Sequence, residues 1–424
     1  MKRYKEMTGD ELKQEYEHVK AKYEELCLKG LSLDMSRGKP GPDQLGISND
    51  ILDMVNSKQG FTSRDGVDCR NYGGLDGLSE IKELFAEIFE VPSKNVIVGG
   101  NASLNMMFDT IAQCMTNGMG DKPWSKLSKV KFLCPVPGYD RHFGICQYFG
   151  IEMVNVPMTD EGPDMDLVEE LIKDESVKGM WCVPKYSNPD GIVYSDEVVK
   201  RLASMKPKAK DFRIFWDNAY AVHPIFDSND KLLNIFDECE KAGCPNKVIM
   251  FTSTSKISFP GAGVAAMAAS DENIALIKQR MTYQTIGPDK LNHLRHIRMF
   301  PNIEAIHKHM QCHAEKMRPK FLTVLSVLDE QLKPYDIARW NKPNGGYFIS
   351  MFVQQGCAKK IVELCKKAGL NLTPAGATYP YGKDPYDSNI RIAPSFPNTD
   401  ELSVATELLC IVTRLVTLDN MMKM

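Results

Sequence analysis

Apolar runs without polar alternation recur between helical stretches at residues 96–98, 131–134, 153–156, 180–183, 213–216 and 248–251. A strand with one wet face alternates polar and apolar residues, so runs like these need cover on both faces. The helical periodicity between them supplies that cover, beginning with Leu78, Ile81, Leu84, Phe85 and Ile88. An α/β fold is expected, with a largely parallel sheet between helix layers. Ligands of such sheets lie beyond the carboxyl ends of the strands. The residues that follow each run are therefore the first candidates for chemistry.

A chain of 424 residues exceeds one ordinary core, and about two or three domains are expected. Residues 8–29 read as an opening helix in which Thr8 and Glu11 form a capping box and Gly30 is the stop. Arg37-Gly-Lys-Pro-Gly-Pro42 then imposes an irregular linker. After about residue 305 the pattern changes to a long helical stretch, a strand over 345–350, another helix, Ile390-Arg-Ile-Ala393 and a last helix. That reads as a smaller α+β domain. The expected division is an N-terminal arm with part of the small domain over 1–48, a large domain over 49–305 and a small domain over 306–424.

The net charge of -3 comes with no Lys/Arg tract, so neither nucleic acid nor an anionic membrane is favoured as a partner. The first residues lack the apolar core of a signal peptide, and their acids argue against a transit peptide. Residues 408–418 are interrupted by Arg414 and are too short to span a bilayer. Twelve cysteines without a C-x-x-C pair fit reduced thiols. A cytoplasmic protein with a small-molecule ligand is expected.

Three strand ends carry distinctive groups. The run at 96–98 passes through Gly99 and Gly100 into a helix, and the first turn at Asn101, Ala102 and Ser103 offers free backbone N–H groups and the positive end of a helix dipole. It suits a phosphate, although a plain Gly-rich turn has the same composition. Asp217 ends a buried run, where an unpaired carboxylate is expensive. A cationic pyridinium N–H would pair it, and so would a helix cap. Lys256 follows the run at 248–251 among Ser253, Thr254 and Ser255. An amine there can act as nucleophile and proton carrier, although most lysines are solvated surface charges. Asp217, Tyr220 and Lys256 together suggest a pyridoxal 5′-phosphate site, with Tyr220 and Asn188 as donors to the cofactor's phenolic oxygen. Tyr220 also suits simple packing, and Tyr186-Ser-Asn188-Pro-Asp-Gly191 also suits a turn. Ser253 and Ser255 are further phosphate candidates.

Other motifs fall away. Gly261-Ala-Gly263-Val-Ala-Ala266 lacks the third glycine of a dinucleotide fingerprint and reads as a glycine-led strand. His309 and His313 lie at helical spacing and are expected on a solvated face rather than on a metal. No Gly-x-Ser-x-Gly elbow is present.

The ordered set Asn188, Asp217, Tyr220, Lys256 and Arg391 resembles the class I aminotransferases of fold type I, whose large domain has a mostly parallel seven-stranded sheet. Ser36-Arg-Gly-Lys-Pro40, Pro137-Gly-Tyr-Asp-Arg-His142, Val183-Pro-Lys-Tyr-Ser-Asn-Pro189, Trp216-Asp-Asn-Ala-Tyr220, Ser253-Thr-Ser-Lys256 and Thr373-Pro-Ala-Gly-Ala377 resemble the divergent Ic branch of aspartate aminotransferases. The resemblance implies that Lys256 bonds the cofactor, that Tyr139 lies over its ring, and that Arg391 grips the substrate α-carboxylate near the Gly38 backbone. It also implies that Tyr72 reaches the cofactor phosphate of a neighbouring subunit, hence a homodimer with composite sites. The implied reaction is ping-pong amino transfer between L-aspartate and 2-oxoglutarate. A broader aminotransferase, or a β-lyase, is the alternative on the same scaffold. A ligand-sensing regulator is disfavoured, because about 35 residues before the Arg37 loop are too few for a winged helix-turn-helix. The chain departs from the family where relatives carry a phosphate-clamping arginine, since Gly263 and Val264 stand there. Lys290 is one candidate replacement, although a surface lysine is the plainer expectation. Arg37, Lys39 and Arg141 are candidates for a distal carboxylate.

Overall fold

A computed structural model describes residues 2–228 and 230–423. Its main sheet consists of β1 (Val96–Val98), β2 (Lys131–Val136), β3 (Glu152–Thr159), β4 (Gly162–Pro163), β5 (Val177–Cys182), β6 (Arg213–Asp217), β7 (Val248–Ser253) and β8 (Ala265–Ala269). The spatial order is β1-β8-β7-β6-β5-β2-β3-β4. Strands β7, β6, β5, β2 and β3 run parallel, whereas β8 is antiparallel to both neighbours. Seven strands form the body expected from the sequence. The eighth, β4, is a two-residue antiparallel addition at the edge.

Side chains that alternate across the pleat feed two separate cores. On one face Met180, Ile214, Trp216 and Met250 pack with helix α2 (Ser79–Phe89). On the other, Phe132, Trp181 and Phe215 pack ring to ring, with centroids 4.8–5.4 Å apart. Gly179 makes this layer possible, because a Cβ there would lie 2.3 Å from the Phe132 ring. Truncating one of these buried rings to alanine costs about 3–5 kcal/mol by analogy with other cores.

A third hydrophobic cluster surrounds the antiparallel strands β9 (Ala338–Trp340), β10 (Ile349–Val353) and β11 (Asn389–Ile392). Helices α1 (Gly9–Leu28), α6 (Ile303–Gln331) and α7 (Thr399–Lys423) cover it. The Thr8–Glu11 capping box forms, and Gly30 follows at φ +60°. Arg414, which interrupts the apolar run of α7, donates to Tyr4 Oη at 2.9 Å and pairs with Glu15. Leu33–Asp34 pairs in parallel with Leu370–Asn371, and Ala393 N donates to Met35 O at 3.1 Å. These bonds hold the Ser36-to-Pro40 loop beside β11.

The strand expected from residue 345 begins later, at Ile349. Gly345 and Gly346 instead carry the backbone past Tyr186 and His223, where a Cβ on Gly345 would meet the His223 carbonyl at 2.4 Å. The facing turn is tight as well: Gly191 has φ +69°, and a Cβ there would lie 2.3 Å from Pro343.

Asp190, in that turn, is buried, and its Oδ1 has no partner among the described residues. Burial raises its pKa from 3.8 to about 7, against a lowering contribution from the Ser350 hydroxyl. The folded state therefore holds a proton that the unfolded chain has already released, and stability falls as pH rises between these values. Asp190→Asn, which mimics the protonated acid, is expected to match wild type near pH 4 and to gain stability through pH 7, by at most about 4 kcal/mol. Urea unfolding at pH 4.5 and pH 8 checks this; equal stability at both would refute it.

Candidate active site

The carboxyl ends of β5, β6 and β7 open into a cavity of about 750 Å³ whose other wall is formed by the 36–39 loop, the Thr373 turn and Arg391 of β11. Asp217 closes β6 and is buried. Its Oδ2 lies 3.0 Å from His142 Nε2, in helix α4 (Asp140–Tyr148), and His142 stacks on Trp181 at 4.3 Å. Asp217 Oδ1 is buried without a donor among the described residues. An anionic oxygen in that state calls for an N–H from a group that enters the cavity.

Lys256 stands just beyond β7, with Nζ 5.0 Å from the Tyr220 ring centroid and 5.8 Å from that of Tyr347. Burial pushes its ammonium below the ordinary lysine range, and the Asp217 carboxylate opposes that shift. Burial also raises the two phenols, Tyr139 to about 12 and Tyr220 well above its ordinary value, with neighbouring acidic groups adding to the effect. Both phenols are therefore protonated donors near neutral pH.

Arg391 is 7% exposed. Its Nε donates to Thr373 Oγ1 at 3.3 Å, and its Nη1 donates to Asn188 Oδ1 at 3.3 Å and to Asp140 Oδ1 at 3.0 Å. The guanidinium lies 4.9 Å over the Phe348 ring. Gly38 allows this arrangement, because a Cβ there would fall 2.4 Å from Phe348 Cζ.

Helix α3 (Ser103–Thr116) points its N-terminus at the cavity, and Ala102, its N-cap, brings no side-chain cap to the first N–H groups. Ser253 and Ser255 line the same end, their hydroxyls 3.0 Å apart. Asn101 sits behind them, its carbonyl accepting from Ser255 Oγ at 3.4 Å, and faces an adjoining cavity of about 300 Å³. Gly263 and Arg295 line that second space, and Arg295 Nε is buried with no partner among the described residues. Tyr72 is the candidate set apart, 83% exposed and away from both cavities. Arg37, Lys39 and Arg141 all line the main cavity, with Lys39 Nζ 3.8 Å over Phe396.

Two expectations are corrected. His309 and His313 do not form a solvated face: their Nε2 atoms lie 2.8 and 3.1 Å from the Ile257 carbonyl, next to Lys256. Gln44 and Ser48 complete that buried cluster, contacting His313 and His309. Helical spacing alone could not reveal which side of α6 meets the lysine loop. Lys290 is not a surface lysine either; it is 4% exposed and donates to the Gly73 carbonyl at 2.7 Å. Sequence reasoning also assigned no role to His142. Its position three residues after Tyr139, one turn into α4, was the available signal.

Residues 7–424 match the family model described as aspartate amino-transferase. The chain belongs to this family. The aminotransferase is 47% identical over 394 residues to the aspartate aminotransferase of Corynebacterium glutamicum, spanning 92% of this chain and 91% of that one. A crystal structure of an aspartate transaminase from Corynebacterium glutamicum matches with a TM-score of 0.95 and 44% identity over 98% of each chain. LysN of Thermus thermophilus, an α-aminoadipate aminotransferase complexed with N-(5′-phosphopyridoxyl)-L-leucine, shares the fold at a TM-score of 0.73 and 20% identity, covering 94% of this chain and 95% of that one.

Burial keeps the His313 imidazole neutral down to about pH 4. His313→Ala removes one of the two imidazoles at the Ile257 carbonyl, and the aminotransferase is expected to lose about 1–3 kcal/mol in urea unfolding at pH 7. A loss below about 0.5 kcal/mol would mean that His309 and Ser48 satisfy the carbonyl without it.

Proposed function

We propose that this aminotransferase uses pyridoxal 5′-phosphate to move an amino group between L-aspartate and 2-oxoglutarate, giving oxaloacetate and L-glutamate. The observation that carries the reading is the buried, half-satisfied Asp217 carboxylate in the same cavity as Lys256. When bound, the cofactor supplies an electron-withdrawing ring that stabilises negative charge at the substrate α-carbon. The residues present fit it. Asp217, steadied by His142, would accept the ring N–H. The backbone at Asn101 and Ala102, with Ser103, Ser253 and Ser255, would hold the phosphate at the start of α3. Tyr139 offers an aromatic face to the ring.

Lys256 carries the proton. Burial lowers its pKa, which makes the neutral amine, both nucleophile and base, easier to reach than in an ordinary lysine. Asn188 turns Oδ1 toward Arg391, which leaves its amide NH₂ to donate alongside the Tyr220 hydroxyl. Arg391 grips the substrate α-carboxylate with two parallel hydrogen bonds, beside the Gly38 backbone. That grip sets which bond at the α-carbon stands ready to break. Arg37, Lys39 and Arg141 supply the positive charge that favours a dicarboxylic substrate.

The same reading makes the molecule a homodimer, in which the exposed Tyr72 reaches the phosphate of the neighbouring subunit. It also divides each chain into a large domain over 49–305 and a small domain over 306–424, with residues 1–48 as an N-terminal arm and part of the small domain. Among the described residues no helix is long and apolar enough to cross a membrane. A cytoplasmic location is part of the proposal.

The decisive measurement adds single amino acids to the cofactor-loaded protein and follows the visible absorbance of the lysine-bound cofactor. Aspartate and glutamate are expected to bleach it within seconds. Bleaching by aromatic or small donors alone would overturn the substrate assignment, and no visible band would overturn the cofactor. Lys256→Ala is expected to lower turnover by at least about a thousandfold, and wild-type turnover would refute its role.

A further inference from the structure

Arg391 already holds a carboxylate. Asp140 Oδ1 lies 3.0 Å from its Nη1, inside the cavity where the preceding reading places the substrate. The other acids that line the cavity are engaged elsewhere: Asp34 accepts from the Ser36 N–H at 2.8 Å and from its hydroxyl at 2.5 Å, and Asp217 faces His142. Asp140 is therefore the acid committed to Arg391.

The two partners differ in freedom. The Arg391 side chain is 7% exposed, fixed by Thr373 and Asn188 and laid over Phe348, so it cannot turn to water. The Asp140 side chain is 35% exposed and belongs to the first turn of α4, where the N-terminal end of the helix favours a carboxylate. Breaking the pair strands the guanidinium but not the acid. A buried guanidinium without a counter-charge is costly, so the site needs an anion whenever substrate is absent.

We propose that Asp140 is a resident stand-in for the substrate carboxylate: it neutralises Arg391 between half-reactions and swings toward solvent when an amino acid or 2-oxo acid arrives. Binding is then an exchange of one carboxylate for another at Nη1. The guanidinium stays in position throughout, and the cost of the exchange falls equally on donor and acceptor. Such a uniform cost raises KM for both substrates and leaves the chemical step alone. Asp140 is thus a positioning residue that acts through Arg391, and the inference rests on Arg391 being the substrate-carboxylate residue.

The test titrates maleate, a non-reactive dicarboxylate, into cofactor-loaded wild type, Asp140→Asn, Asp140→Ala and Arg391→Gln, with calorimetry as the readout. Both Asp140 variants are expected to bind maleate about fivefold more tightly, and KM for aspartate and for 2-oxoglutarate is expected to fall together. Unchanged or weaker binding in both variants overturns the stand-in, because it makes Asp140 a bystander or a brace. If Arg391→Gln binds maleate as tightly as wild type, the Arg391 assignment itself fails and the stand-in with it. Loss of binding in Arg391→Gln with no gain in the Asp140 variants overturns the stand-in alone.

Discussion

Parallel pairing of β5, β6 and β7 is the constraint on which the site depends. The register sets Cys182 opposite Trp216 and Asp217 opposite Phe251, so the three strands end side by side. Three of the polar residues that line the cavity are then each a short distance along the chain from one of those ends: Asn188 after β5, Tyr220 after β6, Lys256 after β7. Antiparallel neighbours would have sent these segments to opposite edges of the sheet. The aromatic layer of Phe132, Trp181 and Phe215, with rings tilted 47–60° to one another, holds the pleat in that alignment from one side, and the Met180, Ile214 and Met250 layer holds it from the other.

Burying charge at such an edge imposes a second requirement, that each ion be answered locally. Asp217 has His142 on one oxygen, and the other has no partner among the described residues. Arg391 has Asn188, Thr373 and Asp140. Tyr139, Asp140 and His142 are consecutive or nearly so, which means that one turn of α4 serves the aromatic wall, the guanidinium and the carboxylate together. The start of that helix is thus the joint between the sheet and the antiparallel strand that carries Arg391.

Much of this was legible in the sequence because it depends on local pattern. The six apolar runs became strands, the Thr8–Glu11 box capped its helix, and most of the candidate residues converged on one cavity because each followed a strand in a sheet whose polarity could be inferred. What stayed hidden depends on pairing across distance. His309 and His313 read as a polar stripe, since nothing local shows that α6 lays that stripe on Ile257. Lys290 read as a solvated lysine until the Gly73 carbonyl, more than two hundred residues earlier, appeared against its ammonium. The strand after Gly345 read four residues too early because the glycines there serve a close approach to Tyr186 and His223 rather than a ladder.

The cluster behind Lys256 shows why those distant pairings matter to the chemistry. Ile257 offers its carbonyl to His309 and His313 from α6 and to Ser48 from the N-terminal segment, while Gln44 spans His313 and the Tyr347 hydroxyl. Gln44, Ser48 and His313 are almost wholly buried, so water cannot substitute for a partner that is lost. A buried network of this kind has few alternative arrangements, because each shift leaves a polar atom unsatisfied. The backbone next to Lys256 is therefore referenced to three segments far apart in the chain. The amine itself lies against the Tyr220 and Tyr347 rings, which contribute shape and low polarity, and no side-chain hydrogen bond tethers it among the described residues. Rigidity in the backbone and freedom at Nζ are what a lysine needs if it is to bond a ligand and then move a proton.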